Sequence, residues 1–459
     1  MELRSRLYSL VTAILTPVVL VRLATRGLKT KAYLRRWRER FGWFPNPKFT
    51  NKTIWIHAVS VGEVNAAIPL IKALMQTYTN HTFVLTTITP TGSDRVQQVF
   101  GNQVFHVYLP YDLPGAVKRF LKKINPIMAV IMETEIWPNL FRFSKKRGIP
   151  IVVANARLSE MSMKGYRWVE SLAAKAFNDT AFVAAQTVTD AQRMIQLGCN
   201  PEKIYIVGSL KFDIIIEPDI VEKGLQIRKH YENTRLVWIA ASTHQEDEDA
   251  VLEAYAQLKP QFKKLMLVMV PRHPERFQST TQTCRNLGFN TQLRSESGLC
   301  DIDADVFIVD TMGEMLEFYA SSDIAFVGGS IANIGGHNVL EAAVFSLPVL
   351  VGPNTHNFYE INQLLHDCGG SALVQNSNDI VNHMIRLITE SEERVRMGKA
   401  AKKLVEKHRG AVDLTMQLIK AVLEEEPLTE DMQKRQYNQK TAKKVLQEQT
   451  SSPAKQIDQ

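Results

Sequence analysis

Glu63 sits where a strand hands over to a helix. Residues 53–59 are β-branched and aromatic, and the residues after Gly62 space apolar side chains at three and four, so the turn falls at Gly62 and Glu63. In an open α/β sheet ligands bind beyond the carboxyl ends of the strands, so a carboxylate here points at substrate. The same position also suits an acidic first-turn residue that only complements the helix dipole. Glu133 and Glu135 follow the apolar run 127–132 directly and form a second acidic group at a strand end. They share a face only if the strand continues, because side chains alternate along it. A helix cap near Trp137 and Pro138, or a structural ion pair, is the competing use.

The second half carries phosphate chemistry. Residues 323–330 lead through Gly335 and Gly336 into residues 337–343, a strand, a glycine-rich loop and a helix. Glycines let backbone approach a phosphate, and free amides at the helix start donate to it. Neither the dinucleotide G-x-G-x-x-G pattern nor the P-loop is matched. Asn338 and Glu341 form an N-x-x-E arrangement that caps the helix or, through Glu341, binds a ribose. Pro271 and Arg272 follow the apolar run 265–270, where arginine offers a planar fork to a phosphate or a base edge; the alternative is a surface loop pair with Glu275. Residues 242–249 resemble a metal cluster in composition, but their pattern is that of an N-capped acidic helix start.

Two blocks of alternating strand and helix must position these residues. Apolar runs at 53–59, 83–87, 127–132, 149–154 and 182–185 alternate with amphipathic stretches, and the pattern restarts at 236–240, 265–270, 306–309, 324–327 and 348–351. Such alternation predicts an α/β fold, a parallel sheet covered by helices on both faces in each half. A chain of 459 residues exceeds one core. The expected layout is residues 1–45 as membrane anchor and basic amphipathic segment, 46–211 as the first Rossmann-like domain, 212–234 as linker, 235–425 as the second, and 426–459 as a polar tail, loose or marginally helical. Further chemistry is expected in the cleft that the two domains face.

Charge is confined to one end. The net charge is +8, and residues 1–45 alone carry ten Lys/Arg against two Asp/Glu, so the rest is neutral. A basic partner-seeking surface therefore belongs to the N-terminus, and nucleic acid is not an expected partner. Residues 7–21 hold no charge, but at 1.5 Å per residue they reach about 22 Å, short of the roughly 30 Å hydrocarbon core. With eight Lys/Arg from Arg22 to Arg40 beyond them, they predict a membrane-anchor helix with the body on the cytoplasmic side. Cys199, Cys284, Cys300 and Cys368 show no C-x-x-C spacing, which fits a reducing cytoplasm.

Seven motifs in order carry a resemblance: HAVSVGE around Glu63, METEIWPNL around Glu133, NARLS from Asn155, GSLKFD around Lys211, PRHPERF from Pro271, DTMGEM around Met312, and GGHN-x-LEAA from Gly335. The chain is similar to the 3-deoxy-D-manno-octulosonic acid (Kdo) transferases of Gram-negative lipopolysaccharide synthesis, up to about residue 425. The resemblance implies a GT-B glycosyltransferase, inverting and metal-independent, without a cofactor, moving Kdo from CMP-Kdo to lipid IVA at the inner membrane. On the family pattern Glu63 is the general base, and Glu133 and Lys211 stabilise the transition state. Pro271, Arg272, Met312, Gly313, Glu314, Asn338, Val339, Leu340 and Glu341 match the CMP contacts. Val339 stands where the family pattern has proline, a change that costs little at a helix start. The alternatives are another GT-B nucleotide-sugar transferase or epimerase and, more distantly, a non-enzymatic membrane-associated module.

Overall fold

The computed structural model describes residues 2–167, 169–231, 235–299, 301 and 303–437; Cys300 and residues 438–459 of the expected tail lie outside them. The chain forms two compact units, residues 1–213 with 409–459, and residues 214–408. Each is built on a seven-stranded sheet in which all paired neighbours are parallel. In the first, β1 (Thr53–His57), β2 (Thr82–Thr87), β3 (Phe105–Tyr108), β4 (Pro126–Met132), β5 (Ile151–Ala156), β6 (Phe182–Ala185) and β7 (Ile204–Ile206) lie in the order β3-β2-β1-β4-β5-β6-β7. In the second, β8 (Val237–Thr243), β9 (Met266–Pro271), β10 (Thr291–Leu293), β11 (Val306–Ile308), β12 (Ile324–Val327), β13 (Val349–Val351) and β14 (Ser371–Leu373) lie in the order β10-β11-β9-β8-β12-β13-β14. The ten expected strands are all present. The four extra ones, β3, β7, β10 and β14, are the sheet edges.

Period-two alternation sends each strand's side chains into two cores. Trp55, Ala129, Ile131 and Val153 enter one, and Ile54, Ile56, Met128, Val130 and Val152 the other. Trp55 is fully buried, stands edge-on to Phe120 with ring centroids 5.1 Å apart, and donates its indole N–H to Thr86 Oγ1 at 2.9 Å. Trp238 of β8 does the equivalent packing against Tyr255.

The segment boundaries differ from the expected ones for local reasons. Most of the expected linker is the helix Pro218–His230, which packs in the second unit against the helix Met315–Ala320. Gly224 makes this possible, since a Cβ there would lie 2.4 Å from that of Ala320. At the other end the helix Ala411–Leu423 returns to the first unit and buries Ala411, Met416 and Ile419 with Leu70 and Leu74. Part of the polar tail is ordered too: in the short helix Glu430–Arg435, Met432 is buried beside Tyr205 of β7.

The expected single anchor helix is replaced by two helices, Glu2–Ile14 and Thr16–Lys29, bent by 47° at Leu15. Pro17 in the first turn of the second helix has no N–H to continue the ladder, which favours a new helix start there. Among the described residues no single helix is long and apolar enough to cross a membrane; the bent pair passes by length and composition only. Beyond it the basic aromatic stretch is two 3₁₀ turns, Lys31–Leu34 and Trp37–Phe41, of which Arg40 and Phe41 are buried. Arg40 is buried, with its guanidinium 4.3 Å from the Tyr108 ring centroid and a bond to Ile88 O at 2.8 Å.

Asp213 ties the returning helix down. Its two carboxylate oxygens accept the N–H groups of Gly410 at 2.6 Å and Val412 at 2.8 Å. Asp213→Ala is expected to cost about 1–2 kcal/mol, the range of a lost helix cap, read as a lower urea midpoint for the full chain. An unchanged midpoint would show that the apolar face of Ala411–Leu423 suffices by itself.

Candidate active site

Both sheets reverse their strand order once, between β1 and β4 in the first and between β8 and β12 in the second. Loops leave such a point in opposite directions and open a crevice at the carboxyl ends. Glu63 follows β1, in the first turn of the helix Val61–Thr77, and Glu133 ends β4, so the two glutamates flank the first reversal.

Glu63 is half-buried. Its backbone N–H donates to Ser60 Oγ at 3.4 Å, and its Oε2 accepts the Val59 N–H at 2.7 Å, so it does close the helix start. Its carboxyl is nevertheless pushed up to about 8. Burial is the main cause and the Glu133 charge the next; the Val59 N–H opposes them, and Glu135 adds to the rise. Burial also raises Glu135, with Glu133 contributing. Three carboxylates thus crowd one strand end, and Glu133 holds a left-handed φ of +55° while its N–H keeps the sheet bond to Ala154 O at 2.9 Å. Such a backbone costs energy for a non-glycine residue and persists where the surroundings over-determine it.

Lys211 is carried by a turn that packs on the same helix. It lies in the 3₁₀ turn Leu210–Phe212, which packs against Val61–Thr77 and buries Leu210 in one cluster with Val64. Asn155, at φ +54° on the end of β5, accepts the Leu210 N–H at 3.0 Å. Two separate sequence motifs, residues 155–159 and residues 208–213, are therefore one scaffold for Lys211.

The other nine residues lie in the second unit. Pro271 pairs with Thr243, and the Arg272 N–H bonds Thr243 O at 2.9 Å, leaving the arginine side chain exposed. Met312 is exposed, Gly313 takes φ +96°, and Glu314 is held by Arg294, with Nη2 to Oε1 at 2.7 Å, and by Thr311. That pairing with Arg294 holds the Glu314 carboxyl below its ordinary range. Asn338 Oδ1 accepts the Leu340 N–H at 3.2 Å and its Nδ2 donates to Glu341 Oε1 at 3.1 Å, a local pairing at the helix start; the N-cap position is Val339 and carries no side-chain cap bond. The helix it starts, Leu340–Ala343, is a single turn. Val339 and Leu340 are fully buried, which leaves only their backbone for a ligand.

Residues 242–249 are the expected acidic helix start, the helix Gln245–Leu258, and its acids serve the fold. Asp247 is fully buried and accepts the N–H groups of His244 (3.0 Å), Gly329 (2.7 Å), Ile331 (2.9 Å) and Ala332 (3.1 Å). It is what shapes the glycine-rich loop. Gly328 lets that loop press on β8, since a Cβ there would lie 2.6 Å from Ser242 O. Sequence reasoning passed over Asp247, His244 and His337 as site residues, although each stands beside a strand end or a glycine.

Two seven-stranded Rossmann-like units, an acidic strand end in one and a glycine loop with Arg272 in the other, define a glycosyltransferase with a GT-B-like fold. The sequence model described as 3-deoxy-D-manno-octulosonic-acid transferase matches residues 35–214, and that of glycosyl transferases group 1 matches residues 226–404. The 3-deoxy-D-manno-octulosonic acid transferase of Haemophilus influenzae is 37% identical over 91% of this chain and 98% of its own. That of Bordetella pertussis is 32% identical over 86% and 96%. The chain belongs to the Kdo transferase family. A solved UDP-GlcNAc 2-epimerase from Neisseria meningitidis, bound to UDP-GlcNAc, superposes with a TM-score of 0.53 over 80% of this chain and 99% of that one; at 14% identity the likeness is of fold.

Asp247→Ala would leave four buried or half-buried amides without their acceptor. At about 1–3 kcal/mol per unsatisfied buried group, partly relieved by relaxation, a loss of at least roughly 3 kcal/mol is expected in denaturant unfolding. Asp247→Asn, which keeps one acceptor oxygen, should lose about half as much. Equal losses would contradict the bidentate role.

Proposed function

We propose that this Kdo transferase takes Kdo from CMP-Kdo and passes it to lipid IVA, with inversion at the anomeric carbon and without a metal. The observation that carries the reading is Glu63, an acid held close to neutrality at the strand-order reversal of the first unit. Glu63 takes the proton from the acceptor hydroxyl as that oxygen attacks the ketose carbon, and a single displacement inverts the centre without a covalent nucleophile. The transition state is oxocarbenium-like at the sugar and gains charge on the departing phosphate. Glu133 and Lys211 stabilise it, and Arg272 with the glycine-rich loop holds the nucleotide through Pro271, residues 312–314 and residues 338–341.

A base works only when ionised. With its carboxyl at about 8, Glu63 is mostly protonated at pH 7, so turnover should rise about tenfold per pH unit up to roughly pH 8 and level off above it. Glu63→Gln should lower turnover by about 10²–10⁴-fold and abolish that rise. Its melting temperature should be no lower than wild type, because burying a neutral amide avoids the penalty that raised the acid. A variant that keeps more than a tenth of the activity, or loses only stability, would return Glu63 to a helix-capping role.

We also propose that the N-terminal helix pair holds the enzyme on the cytoplasmic face of the inner membrane, where its lipid acceptor is. Val11, Ile14, Val18 and Val21 are exposed, and Arg22 and Arg26 follow them. The opposite side is latched to the body, Tyr8 OH to Asp112 at 3.0 Å and Ser9 Oγ to Asn139 Oδ1 at 2.6 Å. This favours a pair lying in the interface with its apolar face down. Replacing all four valine and isoleucine residues with glutamine should cut binding to anionic vesicles by well over tenfold, at about 1.5–3 kcal/mol per side chain buried. Unchanged flotation with vesicles would defeat the proposal.

A further inference from the structure

The ends of β8 and β9 and the loop after β12 bring three imidazoles together. His244 Nε2 and His337 Nε2 are 3.0 Å apart, with the ring planes 6° from parallel. His273 stands edge-on to His244, ring centroids 5.3 Å apart. The pair is built into the backbone. His337 donates its N–H to Gly328 O at 3.2 Å, and its ring fills the space over Gly329, where a Cβ would lie 2.8 Å from it. Asp247 holds both sides, through the N–H groups of His244 and Gly329. None of the three histidines has a task in the reaction described above.

The hydrogen bond fixes what protons the pair can carry. One ring donates from Nε2 and the other accepts at Nε2, so the accepting ring carries its own proton on Nδ1. A single further proton fits on the bare Nδ1 of the donating ring without breaking the bond. A second would set two Nε2–H groups head to head, so the capacity is one. The charges facing the pair are Arg272 and His273 from the end of β9, and Asp247 and Glu248 from the helix Gln245–Leu258. Asp247 is spent on backbone amides, and Glu248 on Arg276 and Thr280. Burial above all, then Arg272 and the neighbouring imidazoles, holds His337 down at about 4, and burial lowers His244 as well. In the free protein at pH 7 the pair is therefore neutral.

We propose that the His244–His337 pair takes up one proton when the phosphate of a nucleotide occupies the glycine-rich loop, so that nucleotide binding in the second unit is proton-coupled. The proposal rests on the reading of this unit as the donor site. A phosphate beside Arg272 offsets the positive charge that adds to burial in keeping the imidazoles neutral, and itself favours an imidazolium. The proton then adds a second cation to Arg272 only while the anion is present.

The test is calorimetric titration of the full chain with CMP at pH 7.0 in buffers of different ionisation enthalpy. The wild type should take up between about half a proton and one proton more per CMP than the double variant His244→Gln/His337→Gln, which keeps polar side chains and leaves no imidazole in the pair. The comparison cancels the nucleotide's own titration, since its second phosphate pKa lies near 6. Affinity of the wild type should also fall as pH rises, by up to about tenfold per unit relative to the variant. Titration with cytidine, which lacks the phosphate, should show no such difference in uptake. Equal proton uptake and parallel pH dependence in the two proteins would overturn the proposal while leaving the donor site intact. Failure of both to bind CMP would overturn the donor-site reading and the proposal with it. If the double variant does not fold, His244→Asn/His337→Asn takes its place, with the same difference in proton uptake expected and the same equality overturning the proposal.

Discussion

A parallel strand can be followed only by a crossover that climbs back over one face of the sheet, and those crossovers share one hand. Where successive crossovers go to opposite sides, the chain cannot cover its own strand ends, and a crevice remains. In this protein that happens between β1 and β4 and again between β8 and β12. Glu63 and Glu133 stand at the first opening, and His244 and residues 328–336 stand at the second. The two cores around Trp55 and the one around Trp238 serve to hold strand ends in register. The chemistry depends on where the register stops.

Acids buried or half-buried in this chain divide by what their oxygens do. Asp247 accepts four backbone N–H groups, Asp213 two, and Asp112 two besides the Tyr8 hydroxyl. Each is a fastener, satisfied on both oxygens, joining a loop or a returning helix to its unit. Glu63 has a different balance: one strong backbone bond against burial and two like charges. The same logic with opposite sign holds in the second unit, where burial and Arg272 keep the imidazoles of His244 and His337 neutral. Both sites are held mostly neutral at pH 7 by surroundings that do not favour the ionised form.

Central strands were legible because a strand flanked on both sides and covered on both faces reads as a continuous apolar run. All ten of the runs are strands. The edges, β3, β7, β10 and β14, have three or four residues and one neighbour each; β10 and β14 carry little apolar content, whereas β3 and β7 are apolar but short. Apolar pattern likewise showed an N-terminal run of 15 uncharged residues, but not that Pro17 would begin a new helix within it. The polar tail concealed Met432, one apolar side chain whose burial beside Tyr205 orders a turn of helix.

By itself the sequence determined the α/β class, the two-unit plan, the family, and the residues at strand ends, because period, glycine turns and motif order are properties of neighbours along the chain. Only the tertiary structure decided that Glu63 lies among like charges, that Asn155 carries the turn of Lys211, and that Asp247 holds the glycine-rich loop across 82 residues of sequence. It also decided where each unit ends, since the helix Ala411–Leu423 belongs to the first by virtue of what it buries there. Charge coupling, burial and long-range hydrogen bonds depend on distance through space, and spacing along the chain does not contain it.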